Sequence, residues 1–238
     1  MLDDSSELKL GSEKDASGQT TPSPLSLLYW MSYIQVGKGP RMPSKYCLSM
    51  SGSSVRRPDT LATARTYLEQ RDWAKTRKQV VDENLYQLNA ESSRKRVAGE
   101  LVKRLQTLTD EELSFLVAAY GDDQSAMLWV SVCRTYEFVH DLSIGILKER
   151  YESGIPTYTT GAYEAFFEEQ AALHAELERL TPGSRKKMRN QVFRMMVECD
   201  LVSEQGDITP IHPSPDFARV IDVDHRDDLD LFPGVTLR

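Results

Sequence analysis

Apolar residues recur at helical spacing through most of the chain after residue 45. Between Pro58 and Leu201 they repeat every three or four residues, a period typical of amphipathic α-helices. The β-like run after these helices is Ile208–Ile211, which contains Pro210 and is followed by Pro213. The pattern therefore predicts an all-α protein with a minor β element.

Start and stop signals divide this region into helices. Asp59 is a candidate N-cap for the first helix, and Thr109 is followed by Glu112 as in a capping box. Thr159 or Thr160 caps a later helix in the same way. The predicted helices extend from Asp59 to the turn at Arg71-Asp72, from Trp73 to about Tyr86, and over Ser92–Leu108, Glu111–Tyr120, Asp122–Tyr151, Thr160 to about Ala172, and most of Leu180–Val202.

The last of these helices differs from the rest of the chain in charge. From Arg179 through Val197 there are six Lys or Arg, counting Arg179 itself, and no Asp or Glu. One stripe of the helix is apolar and consists of Met188, Val192, Met195, Met196 and Cys199. The opposite side carries Lys186, Lys187, Asn190 and Arg194, with Arg185 and Arg189 at its edge.

The position of these cations within the helix is informative. Cations near a helix N-terminus oppose the helix dipole and cost about 0.3–1 kcal/mol each when exposed. A phosphate, in contrast, gains from the cations, the dipole and the unpaired N–H groups together. Recognition helices of helix-turn-helix proteins place their N-terminal residues against DNA in this way. The sequence favours a nucleic-acid contact over the alternative, a solvated basic face on a core helix.

A second basic segment resembles the first. Ser93-Arg94-Lys95-Arg96-Val97 matches Ser184-Arg185-Lys186-Lys187-Met188 in residue type, and each follows a predicted helix and a short linker. Two helix-turn-helix-like units would explain the similarity, as would chance resemblance between amphipathic basic helices. The β-like run after the second unit suggests a small wing near Val202–His212.

Composition narrows the classes of function. The formal net charge is −7, so any nucleic-acid surface must be local, within a Debye length of about 8–10 Å. Three separated cysteines and four dispersed histidines form no disulfide framework or metal motif. No catalytic or cofactor motif is present. Without an apolar run of about 20 residues or a signal peptide, the expectation is a cytoplasmic, non-membrane protein with no enzymatic activity, metal or cofactor.

The two ends differ from the middle. Residues 1–45 are rich in Ser, Gly and Pro, which predicts a disordered extension before a helical domain at 46–212. The apolar stretch Leu25–Ile34 within the extension is either a docking segment or the product of an over-long gene start. Residues 213–238 are predicted as an acidic tail, because ten acids stand against two arginines from Glu198 to Asp230. Such a tail is solvated or folds back on the basic helix.

Several segments, in their order and spacing, resemble the BrxA family of BREX bacteriophage-defence systems. The resemblance covers about Tyr46 to Ile211. The matching residues are Tyr46 with Ser49 and Ser51-Gly52-Ser53, Asp72-Trp73, Glu83-Asn84-Leu85, Ser92-Ser93-Arg94-Lys95-Arg96, Arg104-Leu105 with Leu108, Glu111-Glu112-Leu113, Phe166-Phe167, and Ser184-Arg185-Lys186-Lys187-Met188 continuing to Asp200-Leu201-Val202.

The resemblance implies a compact helical bundle similar to that of the antitermination factor NusB. It also implies non-catalytic binding of double-stranded DNA, beside a methyltransferase and other BREX subunits. Residues 1–45 depart from the family pattern, and no function is carried onto them. The acidic tail is a second departure, which would weaken DNA affinity relative to a more basic relative.

The leading hypothesis from the sequence is a DNA-binding defence component. Its expected DNA-binding residues are Arg185, Lys186, Lys187, Arg189, Asn190 and Arg194, with Arg94, Lys95 and Arg96 as a second patch. The rival hypothesis is a scaffold subunit whose basic helix docks on an acidic partner. RNA binding, by analogy with a NusB-like bundle, is a third and rests on fold analogy alone.

Overall fold

Eleven α-helices and two short helical segments of different pitch make up the described part of the chain. The computed structural model describes residues 46–50, 54–221 and 223–234. The predicted extension at residues 1–45, including Leu25–Ile34, lies outside the described residues.

The all-α prediction is confirmed, since β structure in the described ranges amounts to two isolated bridges. A π-helical stretch, Ser143–Lys148, joins the sixth and seventh helices, and a 3-10 segment, Val223–Leu231, follows the last. The helices are α1 (Arg57–Gln70), α2 (Trp73–Asp82), α3 (Glu91–Leu105), α4 (Asp110–Ala118), α5 (Gly121–Thr135), α6 (Glu137–Leu142), α7 (Glu149–Glu152), α8 (Thr160–Ala171), α9 (Ala175–Glu178), α10 (Pro182–Glu198) and α11 (Pro215–Val220).

Two of the three predicted N-caps are confirmed. Thr109 and Glu112 form the complete capping box of α4, because each side chain accepts a hydrogen bond from the other residue's backbone N–H. Thr159 caps α8. The prediction for α1 is wrong: Arg56 is its N-cap, and Asp59 lies in the first turn, where it accepts a hydrogen bond from Arg56 Nε.

The longest predicted helix, Asp122–Tyr151, is interrupted at Tyr136. The backbone of Tyr136 is extended (φ −127°, ψ 97°), so α5 ends there and the chain restarts as α6. Buried hydrogen bonds fix the new direction, because Trp129 Nε1 donates to Ser143 Oγ, which donates to the Leu231 carbonyl. The helix is therefore interrupted because of tertiary contacts and not because of a local helix-breaking residue.

The core is centred on α5, whose residues from Ser125 to Cys133 are all buried and so face neighbours on every side of the helix. A helix of this kind requires neighbours on every side. Phe166 and Phe167 of α8 join its main cluster, as do the apolar residues of α10. A smaller cluster lies around α2 and α3 and consists of Val80, Val81, Tyr86, Val97, Ala98 and Leu101.

The described residues of the C-terminal segment, 213–221 and 223–234, fold onto the helical body instead of forming a solvated tail. Phe217 of α11 and Phe232 after the 3-10 segment are fully buried in the main core. α11 packs against α4, and the 3-10 segment packs against the π-helical stretch. The prediction of a tail from residue 213 missed this because the apolar residues are few and separated by acids.

The predicted wing near Val202–His212 is a tight turn rather than a pair of strands. Val202 and Ile208 pair in a single antiparallel bridge. The turn is closed by a hydrogen bond from Ser203 N–H to the Asp207 carbonyl. Gly206 has φ +97°, and a Cβ there would lie 2.6 Å from the Tyr158 carbonyl oxygen, so the turn requires glycine.

Candidate nucleic-acid interface

The start of α10 is set by a cap and its orientation by its apolar stripe. Thr181 Oγ1 accepts a hydrogen bond from Ser184 N–H, and Pro182 occupies the first helical position, where it displaces no hydrogen bond. The predicted stripe is buried in full and consists of Met188, Val192, Met195, Met196 and, just past the helix, Cys199. The opposite face of α10 must therefore point away from the core.

Four of the predicted DNA-binding residues lie on that outer face. Lys186, Lys187, Asn190 and Arg194 are all exposed. In the described ranges none of the four side chains forms an ion pair or a hydrogen bond. Their charges and donors are therefore available to a ligand without breaking an internal contact.

Arg185 and Arg189 are placed differently, because both pair with acids of α8. Arg189 Nη1 lies 2.7 Å from Glu164 Oε1, and Arg185 Nη2 lies 2.6 Å from Glu168 Oε1. The Arg185 guanidinium also stands over the Phe167 ring, 4.0 Å from its centroid. These two arginines hold α10 against α8, so α10 presents fewer uncompensated cations than its sequence suggests.

The second basic segment forms the first turns of α3. Lys95 is exposed and pairs with Glu91 at 2.5 Å. Arg94 is partly buried, and its Nε makes no hydrogen bond within the described residues. Arg96 is exposed and lies at the mouth of a cleft.

That cleft brings the two basic segments together. It has a volume of about 190 Å³ and is lined by the side chains of Arg96 from α3 and Arg194 from α10. An adjoining cleft of about 490 Å³ shares Arg194. Lys187 and Asn190 line the second cleft with the apolar residues Leu48, Met50, Leu180 and Met188.

One arginine of the site was not among the predicted DNA-binding residues. Arg56 lines the smaller cleft beside Arg96 and Arg194. Its backbone N–H donates to Glu198 Oε2 at 2.9 Å, which ties the N-cap of α1 to the end of α10. The pair Arg56-Arg57 is visible in the sequence, but no local pattern indicates that it meets two distant helices.

The described residues show little chemistry beyond this basic surface. No group of three His, Cys, Asp or Glu in the described ranges could hold a metal ion. Burial raises the pKa of the Cys133 and Cys199 thiols, which are core residues. His140 Nδ1 lies 3.1 Å from Asp141 Oδ1, and Asp141 also accepts a hydrogen bond from the Tyr46 hydroxyl. No helix among the described residues is both long and apolar enough to cross a membrane.

Together these features define an all-α protein with a basic cleft between two helices. The BrxA family model matches residues 44–224, and the chain belongs to this family. The resemblance noted in the sequence is thereby confirmed.

A curated relative and a solved structure add to this assignment. The chain is 22% identical over 131 residues to the BREX protein BrxA of Bacillus cereus (strain H3081.97). That match covers 54% of this chain and 64% of the relative, so the chain spans somewhat less than two thirds of the relative's length. A crystal structure of an uncharacterized protein from Magnetospirillum magneticum has a similar fold, with a TM-score of 0.68 and 15% identity over 78% of this chain and 96% of that chain.

Proposed function

We propose that this BrxA-family protein binds double-stranded DNA at the α3–α10 cleft, as a non-catalytic component of a BREX phage-defence system in the cytoplasm. The observation that carries the proposal is the meeting of two basic segments, distant in sequence, at one cleft. The family assignment supports a place beside other BREX subunits.

The side chains on this surface suit different parts of DNA. Lys186 and Lys187 are exposed ammonium groups near a helix N-terminus, which suits phosphate neutralisation. Phosphate contacts set affinity and register rather than sequence choice. Asn190, one turn further along α10, carries the amide that can pair bidentately with adenine.

The helix-turn-helix interpretation is part of this proposal, and the two units fit the motif to different degrees. Residues 179–181 separate α9 from α10, which fits the roughly three- to four-residue turn of the motif. Residues 83–90 separate α2 from α3, a longer link than the motif uses. By the length of its link the C-terminal unit is the closer match, although its first helix, α9, has only four residues. In this proposal α10 is the recognition helix of a NusB-like bundle.

A salt titration with a matched charge-reversal control tests the proposal. The Lys186→Glu/Lys187→Glu variant should bind a fluorescent mixed-sequence duplex more weakly than the wild type. If both lysines neutralise phosphates, the slope of log K against log salt should fall by about 2. The control is Lys75→Glu/Lys78→Glu on α2, which makes the same charge change at exposed lysines outside the cleft.

The result expected from the control is near wild-type binding. Equal losses in the two variants would indicate a nonspecific charge effect and contradict a specific role for α10. Unchanged binding in the Lys186→Glu/Lys187→Glu variant would also contradict it. Circular dichroism and thermal unfolding of each variant establish that the helices remain intact.

The scaffold function is a second candidate because the larger cleft combines basic residues with an apolar floor. Leu48, Met50 and Met188 could bury apolar side chains of an acidic partner peptide beside Lys187 and Arg194. An association with another BREX subunit that survives nuclease treatment would favour this function. Loss of the association after nuclease treatment would favour DNA as the bridge.

A further inference from the structure

The two sides of the basic surface use different cations. The exposed start of α10 carries lysines, whereas the smaller cleft is lined by three arginines, Arg56, Arg96 and Arg194. Lysine acts on phosphate as a flexible, hydrated point charge. Arginine presents a rigid fork of N–H donors that matches the oxygens of a phosphate in pairs. The cleft therefore has the chemistry of a fixed oxyanion site rather than of a diffuse positive face.

The local structure holds this cleft in place. Arg56 has a left-handed backbone (φ 51°), which is unfavourable for a residue other than glycine. It is held there by the hydrogen bond from its N–H to Glu198, while Asp59 accepts a hydrogen bond from its side-chain Nε. The Glu198 carboxylate is thus engaged with the backbone of Arg56.

The remaining lining consists of two serines, Ser54 and Ser93, and two apolar residues, Leu88 and Val97. Ser54 is positioned by its own carbonyl, which accepts a hydrogen bond from Arg104 Nη1 at 2.9 Å. Ser93 lies in the first turn of α3, one turn before Arg96. The cleft volume of about 190 Å³ is larger than that of several water molecules, at about 30 Å³ each. It is smaller than the roughly 300 Å³ at which pockets for drug-sized ligands begin, so the cleft suits a small ligand.

We propose that this cleft binds a single phosphate group through the guanidinium groups of Arg56, Arg96 and Arg194 and the hydroxyls of Ser54 and Ser93. The inference rests on the proposed function, because the phosphate that it places in the cleft is one phosphate of the DNA backbone. It deepens that function, because one phosphate held by three arginine forks fixes the register of the duplex on α10. Free inorganic phosphate has the same chemistry and is the probe for the site alone.

Charge-conserving variants test the proposal. Arg96→Lys and Arg194→Lys keep the positive charge and remove the fork, and Arg65→Lys on the exposed face of α1 is the matched control. Inorganic phosphate is titrated at constant ionic strength against chloride, and binding is followed through the arginine Nε–Hε signals in NMR spectra. Duplex affinity and its salt slope are measured for the same proteins.

The wild type should show saturable shifts confined to a few arginine signals. Each cleft variant should bind phosphate roughly tenfold more weakly, since a lost charge-assisted hydrogen bond corresponds to about that factor or more. DNA binding should weaken with an unchanged salt slope, because the number of neutralised phosphates stays the same. Arg65→Lys should match the wild type in all three measurements.

Two results would overturn the inference. One is the absence of saturable phosphate binding to the wild type, and the other is unchanged phosphate binding in both cleft variants. Its failure is distinguishable from that of the proposed function. Phosphate binding at the arginines without duplex binding would retain the inference and reject the DNA role, whereas duplex binding lost only in Lys186→Glu/Lys187→Glu would do the reverse.

Discussion

At the scale of single residues, the Arg134 side chain is almost fully buried and forms four hydrogen bonds. Both carboxylate oxygens of Glu112 accept hydrogen bonds from its guanidinium at 2.7 Å, and Asp228 accepts another at 2.6 Å. The Thr107 carbonyl accepts one more at 2.8 Å. Burial raises the pKa of the Asp228 carboxyl, while Arg134 favours its charged form. Through these contacts Arg134 connects α4, α5 and the 3-10 segment.

Removing Arg134 should destabilise the fold strongly. The Arg134→Met variant leaves Glu112 and Asp228 buried without their cation, and loss of one partner of a buried pair costs about 3–5 kcal/mol. Urea unfolding measures the difference. Lys148→Met is the control, because its partner Asp230 is mostly exposed and the pair contributes about 1 kcal/mol or less. Equal urea midpoints for Arg134→Met and the wild type would contradict the structural role of Arg134.

At the scale of elements, α10 performs two tasks on two sides. Its apolar stripe is predictable from helical period alone, because Met188, Val192 and Met195 recur at the spacing of one helix face. The pairing of Arg185 and Arg189 with α8 is not predictable in this way. Glu164 and Glu168 lie on a separate helix, and only tertiary packing brings them within reach.

This division of α10 predicts different effects for two double variants in which glutamine replaces the cations. One should mainly lower stability, and the other should mainly weaken DNA binding. Arg185→Gln/Arg189→Gln should lower the free energy of unfolding by about 1 kcal/mol, since partly exposed ion pairs are weak and a cation–π contact adds a similar amount. Lys186→Gln/Lys187→Gln should leave stability within about 0.5 kcal/mol and weaken duplex binding more. Urea unfolding and fluorescence anisotropy measure the two effects. A larger loss of duplex binding in the arginine variant would reverse the assignment of the two sides.

The break between α5 and α6 shows a second limit of sequence patterns. Neither proline nor glycine stands near Tyr136, and the apolar residues continue on both sides, so the local pattern predicts one uninterrupted helix. The interrupted helix is stabilised by two buried hydrogen bonds, from Trp129 to Ser143 and from Ser143 to the Leu231 carbonyl. A partner that is distant in sequence outweighs local propensity here.

At the scale of the whole molecule, the two basic segments can be predicted from the sequence, but their convergence at one cleft cannot. Arg94 to Arg96 and Lys186 to Arg194 are both recognisable as basic helix segments. Their convergence at Arg194 depends on how α3 and α10 pack, which no periodicity encodes. The place of Arg56 in the same cleft and the pairing of Arg185 with acids of α8 also depend on tertiary packing, so neither could be predicted from the sequence. Caps and helix faces are local properties, whereas a binding surface is a property of the fold.

The C-terminal segment is the test of how far the folded body extends. Phe217 is fully buried, with its ring 5.7 Å from that of Phe232 and 6.2 Å from that of Phe115. Phe217→Ala should therefore cost about 3–5 kcal/mol in urea unfolding, the usual range for a large core residue. Val223→Ala, at a side chain 75% exposed, should cost about 0.5 kcal/mol or less. If the segment were a solvated tail, both variants would keep the wild-type urea midpoint. A large loss of stability in Phe217→Ala alone means that the acidic segment packs on the same core as the apolar stripe of α10.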